Sequence, residues 1–176
     1  MVGNKKIGQC IYEIHRLSDK NVGEVQRLCE SCSDFSELIE GRPPEKDAGQ
    51  RILSDLPPGK EQKDKYVFGV YKESNSLIAV IDIIKDYKVE GEWVVGLLMI
   101  DPSERGKGLG SNLHKLIKEW VRKEKGVKLT LGVVEDNRVG YRFWEKIGYM
   151  ETHRVKSVFG DKEHTVIGMG LLLMKE

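Results

Sequence analysis

Apolar and polar positions along the 176 residues change period more than once. Over 19–32, Val22, Val25, Leu28 and Cys29 recur three and four apart, which predicts a helix with Ser18 or Asp19 as its cap. A short helix over 35–40 ends at Gly41-Arg42-Pro43-Pro44, and another over 45–56 ends at Pro57-Pro58-Gly59. From Tyr66 the pattern becomes strand-like. Segments 66–72, 77–86 and 93–101 are separated by turn residues at 73–76 and 88–91, so they read as an antiparallel meander. Pro102 stops the third segment, because proline cannot continue a ladder. Leu109, Leu113, Leu116, Ile117, Trp120 and Val121 then return to helical spacing. A strand over 127–134 follows, then a helix over 137–146 closed by Gly148. A last hairpin, 149–159 with 164–174, turns at Gly160-Asp161. The strand–helix–strand step implies local parallel pairing, so the expected class is α+β: a mixed sheet with helices on both faces.

Between the third strand of the meander and its helix lies Ser103-Glu104-Arg105-Gly106-Lys107-Gly108-Leu109-Gly110-Ser111. Strand, glycine loop, helix is an arrangement that builds an anion site. Glycines let backbone approach a ligand, and the first turn of a helix has N–H groups without internal partners. The helix dipole adds roughly half a positive charge at the same end. A pyrophosphate would be held there by main-chain donors, with Arg105 and Lys107 beside it. Two common phosphate loops do not fit. A Walker loop needs glycine where Asp101 stands and Ser or Thr where Gly108 stands. A dinucleotide fingerprint needs G-x-G-x-x-G, whereas Gly106, Gly108 and Gly110 are spaced G-x-G-x-G.

Composition narrows the class further. The length suits one domain, 1–176, with a full core. Hydrophobic content of 39% with charged content of 32% describes a soluble globular chain. A formal charge of +1 gives no bulk electrostatic reason to expect nucleic acid or an anionic membrane as partner. No apolar run approaches the ~20 residues of a membrane span, and no signal-peptide core is present, so the expected location is cytoplasmic. Cys29 and Cys32 form a C-x-x-C pair, but His15, His114, His153 and His164 are too scattered to complete a zinc site. A redox pair would open a helix after a strand, whereas these cysteines come late in a helical pattern, and they read as small helix residues. No metal is expected.

Arg105-x-x-Gly108-x-Gly110 resembles the acetyl-CoA pyrophosphate loop of the GNAT superfamily of N-acetyltransferases, Gln/Arg-x-x-Gly-x-Gly/Ala. Asn137-Arg-Val-Gly-Tyr-Arg-Phe-Trp-Glu-Lys-Ile-Gly-Tyr149 is similar to the late motif of the same family, matching at the asparagine, Glu145-Lys146, Gly148 and the closing aromatic. The resemblance covers 66–149 closely and implies a mostly antiparallel sheet of six or seven strands, splayed between two parallel ones. It implies that backbone groups of Leu98, Met99 and Ile100 hold the pantetheine arm. Arg105, Gly106, Lys107, Gly108, Leu109, Gly110 and Ser111 would hold the pyrophosphate, and Asn137 would bond the pantetheine from the next strand. The cosubstrate implied is acetyl-CoA, and the reaction is direct attack of an amine on the thioester. No convincing Ser-His-Asp or Cys-His arrangement is present for a covalent route. The basic run Lys115, Lys118, Arg122, Lys123, Lys125 and Lys128 could reach the 3′-phosphate of coenzyme A, but reads first as a solvated helix face.

A lysine-like amine must lose a proton before it attacks, at a cost of about 4–5 kcal/mol at pH 7. Here the chain departs from the family. The family's tyrosine acid falls at Trp144, whose indole cannot serve; Tyr141, one helical turn earlier, could substitute, but reads first as a ring packed beneath the cofactor. Carboxylates that some members carry on the flanking strands would fall near Gly96 and Gly132, leaving Glu92 and Glu135 as nearby acids that read first as surface charges. The acceptor would be a small-molecule or protein amine, lying over the amino-terminal helices and the last hairpin, and a homodimer is left open. The different-class alternative is a non-catalytic acyl-CoA-binding sensor of the same fold, made credible by Trp144.

Overall fold

A computed structural model describes residues 1–72 and 75–173 of the chain. In order they form β1 (Gly3–Ile7), β2 (Cys10–Arg16), α1 (Val22–Ser31), α2 (Ser33–Glu40), α3 (Ala48–Ser54), β3 (Lys65–Tyr71), β4 (Leu77–Ile84), β5 (Glu92–Ile100), α4 (Leu109–Lys123), β6 (Lys128–Val134), α5 (Arg138–Lys146), β7 (Met150–Phe159) and β8 (Lys162–Leu172). The strands make one sheet in the order β1-β2-β3-β4-β5-β6-β8-β7. Every pairing is antiparallel except β5 with β6. No helix among the described residues is long and apolar enough to cross a membrane.

The strand count is a correction. Eight strands stand where six or seven were expected, because β1 and β2 form a hairpin at the sheet edge. An edge strand buries little, so β1, with Lys5 and Lys6 in five residues, carries a weak hydropathy signal. In β2 only Tyr12 and Ile14 are buried, and that alternation is too short to stand out. The turn at 73–76 and the end of the last strand at Met174 fall partly outside the described residues.

The sheet carries a core on each face. On one, Leu109, Leu113, Ile117 and Val121 of α4 pack with Trp144 of α5 against Phe68, Ile81, Ile83, Trp93 and Leu129. The helical spacing thus buries the stripe it predicts. Trp120, half-buried, meets the rings of Tyr66, Phe68 and Trp93 edge-on at 5.0–5.2 Å. On the other face, Val25, Leu28, Cys29 and Leu53 from α1 and α3 cover Val67, Val80 and Met99. Gly41 ends α2 in the left-handed conformation, φ 79°.

His114 of α4 is 2% exposed, with Nε2 3.2 Å from the Tyr149 hydroxyl and the Trp144 ring 6.0 Å away. Burial, with a smaller push from Lys118, lowers its pKa from 6.5 to about 4. The folded state therefore resists a proton that the unfolded chain accepts. Stability should be full above pH 6.5 and fall by up to about 3 kcal/mol as pH drops to 4. Urea titrations across that range check this, and His114→Phe should flatten the dependence.

Candidate active site

The site begins where β5 and β6 part. They share only the pairs Glu92–Lys128, Trp93–Leu129 and Val94–Thr130, yet β5 runs on to Ile100 and β6 to Val134. The outer edges of both strands stay paired, β5 with β4 and β6 with β8. The inner edges beyond Val94 and Thr130 therefore face a cleft with main-chain donors and acceptors not taken up by a neighbouring strand. A bulge marks the parting. Ile83 pairs with Val95 and Asp82 with Leu97, so Gly96 is the extra residue. Gly96 and Gly132 are both exposed in the middle of an eight-stranded sheet, one on each strand of the splay.

At its far end β5 leads into the glycine loop. Gly106 and Gly108 adopt φ 75° and 81°, values that side chains strain to reach, which accounts for their alternate spacing. Gly110 is glycine for a different reason. A Cβ there would stand 3.3 Å from the Ile100 side chain and 3.3 Å from the Phe143 ring, so α4, β5 and α5 meet at this point. Gly108 is the N-cap of α4 and offers no side-chain cap, and Asn112 bonds the Gly108 carbonyl rather than an amide. Among the described residues, the N–H groups of 106–111 donate to no protein acceptor. Such a cluster of unpaired donors with the positive end of a 15-residue helix suits an anion.

The basic groups beside the loop are differently engaged. Arg105 forms a two-point pair with Asp34 of α2, and its Nε donates to the Ile100 carbonyl at 2.8 Å. That pairing holds the Asp34 carboxyl below the usual carboxylate range. Arg105 thus ties α2 to the end of β5 as well as flanking the loop. Lys107 is exposed, with its ammonium 3.7 Å from Glu104, a carboxylate already held by Lys72 at 2.9 Å. Of the β5 residues expected to face the pantetheine, Leu98 and Ile100 turn their side chains toward the α4 core and Met99 toward α1.

Asn137 sits between β6 and α5 as the helix N-cap, its Oδ1 accepting the Gly140 N–H at 2.9 Å. Capping explains an asparagine at this position and leaves its amide NH₂ for another partner. Tyr141 packs half-buried against the α4-side core, and its N–H donates to the Asn137 carbonyl at 2.9 Å. Trp144 is wedged against Phe143, His114 and Tyr149. The sequence-derived acids are both engaged by cations: Glu92 with Lys128 at 2.9 Å, and Glu135 with Arg154. Cys29 and Cys32 are buried, and burial pushes Cys29 up to about 11, so neither thiol is poised as a nucleophile.

The sequence reading missed Asp82. It is the one charge in the apolar run 77–84, a signal in itself, since carboxylates are seldom buried unpaired. Its Oδ2 accepts from Lys65 of β3 at 2.7 Å, and the Lys65 side chain is 2% exposed. Its Oδ1 is buried with no hydrogen-bond partner. A Cβ on Gly96 would lie 3.1 Å from Oδ2, so the carboxylate stands directly behind the bulge. Burial pushes the Asp82 carboxyl above its ordinary range, against the opposing pull of Lys65.

Comparison with known proteins agrees with this geometry. The model of the acetyltransferase (GNAT) family matches residues 26–149. An uncharacterized N-acetyltransferase of Bacillus subtilis, YobR, is 26% identical over 113 residues, which are 63% of this chain. The match spans about two fifths, 42%, of that relative's length. A GNAT-family structure from Desulfovibrio desulfuricans superposes with a TM-score of 0.74 at 17% identity, over 93% of this chain and 99% of its own. The spermidine N-acetyltransferase of Vibrio cholerae, solved with CoA and spermine, gives 0.71 at 16% identity over 92% and 95%. The ribosomal-protein-S18-alanine N-acetyltransferase of Escherichia coli gives 0.65 at 15% over 94% and 96%. These structures share the fold, and the matched family model shows that the chain belongs to the GNAT family of acetyltransferases.

Proposed function

We propose that this chain, as a single domain, transfers the acetyl group of acetyl-CoA to a primary amine by direct attack in a ternary complex. The observation that carries the reading is the row of unpaired N–H groups at 106–111, at the end of a strand whose inner edge is open. Those amides, with Lys107, would bind the pyrophosphate. The open edge of Leu98–Ile100 would pair with the pantetheine amides as a further strand does, although the Ile100 carbonyl already accepts from Arg105. The Asn137 NH₂ would donate from the opposite wall. Acetyl-CoA brings an activated thioester, so the protein's share is alignment and main-chain donation to the oxygen that gains charge. Tyr141 is the hydroxyl assigned to protonate the departing thiolate, since Trp144 is buried and carries no acid.

The acceptor would approach from the face covered by α1 and α3 and from the β7–β8 hairpin. Structures of the same fold named for spermidine and for an alanine of ribosomal protein S18 suggest the probes: spermidine, an alanine-headed peptide and ethylamine.

Calorimetry should show one acetyl-CoA bound per chain. Gly108→Glu, which puts a side chain at φ 81° and a negative charge among the amides, should weaken binding on the order of 100-fold or more while circular dichroism stays unchanged. Undiminished affinity contradicts the loop assignment. Asn137→Asp keeps the cap but exchanges the NH₂ donor for an acceptor. Thermal stability should hold within about 0.5 kcal/mol while affinity falls on the order of tenfold. Thiol release with the three amines separates enzyme from sensor, and unchanged turnover in Tyr141→Phe would assign that ring to packing.

A further inference from the structure

The transferase reading leaves one requirement without a residue: removal of a proton from the acceptor's ammonium, which is charged near neutrality. The acids flanking the cleft in sequence are spent on Lys128 and Arg154, and the cleft walls at Gly96 and Gly132 carry no side chains. Behind one of those walls stands Asp82. Its position combines three features that a merely structural ion pair does not need. It sits at the bulge where β5 leaves β6. The residue between it and the cleft is an exposed glycine, and any larger side chain there would crowd the carboxylate. One of its two oxygens is buried without a donor, although buried carboxylates ordinarily satisfy both.

We infer that Asp82 takes the proton from the acceptor's ammonium, directly or through one water passing the Gly96 gap, before the nitrogen attacks the thioester. This rests on the transferase reading. The ammonium proton moves to the Asp82 carboxylate, and the freed nitrogen pair forms the C–N bond as the C–S bond breaks. Tyr141 gives its proton to the thiolate, the second proton that nitrogen sheds restores the Tyr141 hydroxyl, and Asp82 returns its own to solvent. An under-solvated carboxylate suits this task, since a proton is worth more to it than to a carboxylate in water. Lys65 of β3 is the charged group that acts on it. The other side chains beside it on that face, Val67, Val80 and Leu97, are apolar. The balance keeps the carboxylate available as a base without leaving it fully solvated.

The test measures kcat/KM against pH with spermidine, the alanine-headed peptide and ethylamine, alongside acetyl-CoA binding. Asp82→Asn should bind acetyl-CoA like the wild type and lose on the order of 100- to 1000-fold in kcat/KM near neutrality. Its rate should climb steadily with pH in place of the wild type's acid limb, because free amine must then come from solution. A variant that keeps wild-type turnover and the acid limb overturns the assignment. Should Asp82→Asn fail to fold, the wild type decides. The carboxyl carbon of Asp82, followed by NMR, should titrate at the midpoint of the acid limb, and titration elsewhere overturns the proposal. A wild type that binds acetyl-CoA but acetylates none of the amines overturns the base while leaving the cofactor site standing. Failure to bind acetyl-CoA at all removes the transferase reading itself.

Discussion

Unpaired backbone groups are the constraint around which this molecule is arranged. A folded chain satisfies nearly all its main-chain donors and acceptors, and an eight-stranded sheet is an efficient way of doing so. Here the economy fails in two adjoining places. β5 and β6 stop pairing after three residues, and the loop before α4 leaves its amides without protein acceptors. Both can persist only if something else, water or ligand, completes them. Their adjacency along one strand gives an extended partner with an anionic end a continuous path of matching groups.

The glycines hold this arrangement open by different means. Gly106 and Gly108 turn the chain through left-handed conformations, so that the loop reaches α4 with its N–H groups bare. Gly110 lets α4 approach Ile100 and Phe143 closely enough to fix the loop against β5 and α5. Gly96 absorbs the extra residue of the bulge and leaves the cleft wall thin in front of Asp82. Around them the packing is ordinary and firm, with Trp93, Leu113 and Ile117 fully buried beneath the helix. The cleft is therefore an opening in a rigid frame, which is what alignment chemistry requires.

Much of this was legible along the chain because it rests on local pattern. The α4 stripe, the glycine loop, the parallel pairing implied by a strand–helix–strand step and the helix closed at Gly148 all follow from residues near one another in the chain, while the splay was expected only from the resemblance. What depends on distant register was not legible. β1 is an edge strand whose partner is set by the sheet, and its lysines hide it from hydropathy. Asp82 passed unnoticed inside an apolar strand, since its lysine lies 17 positions earlier and meets it only through the β3–β4 register. Asn137 was visible as a candidate ligand, whereas its second task, capping α5, needed the backbone to show it. Arg105 was visible beside the loop, but its grip on Asp34 joins segments 71 residues apart.

The most direct measurement is amide NMR of residues 106–111 during titration with coenzyme A and, separately, with pantetheine that lacks the diphosphate. The account predicts that the six N–H signals move on saturation with coenzyme A and stay in place with pantetheine alone. Signals that stay fixed while coenzyme A binds elsewhere on the protein would contradict it.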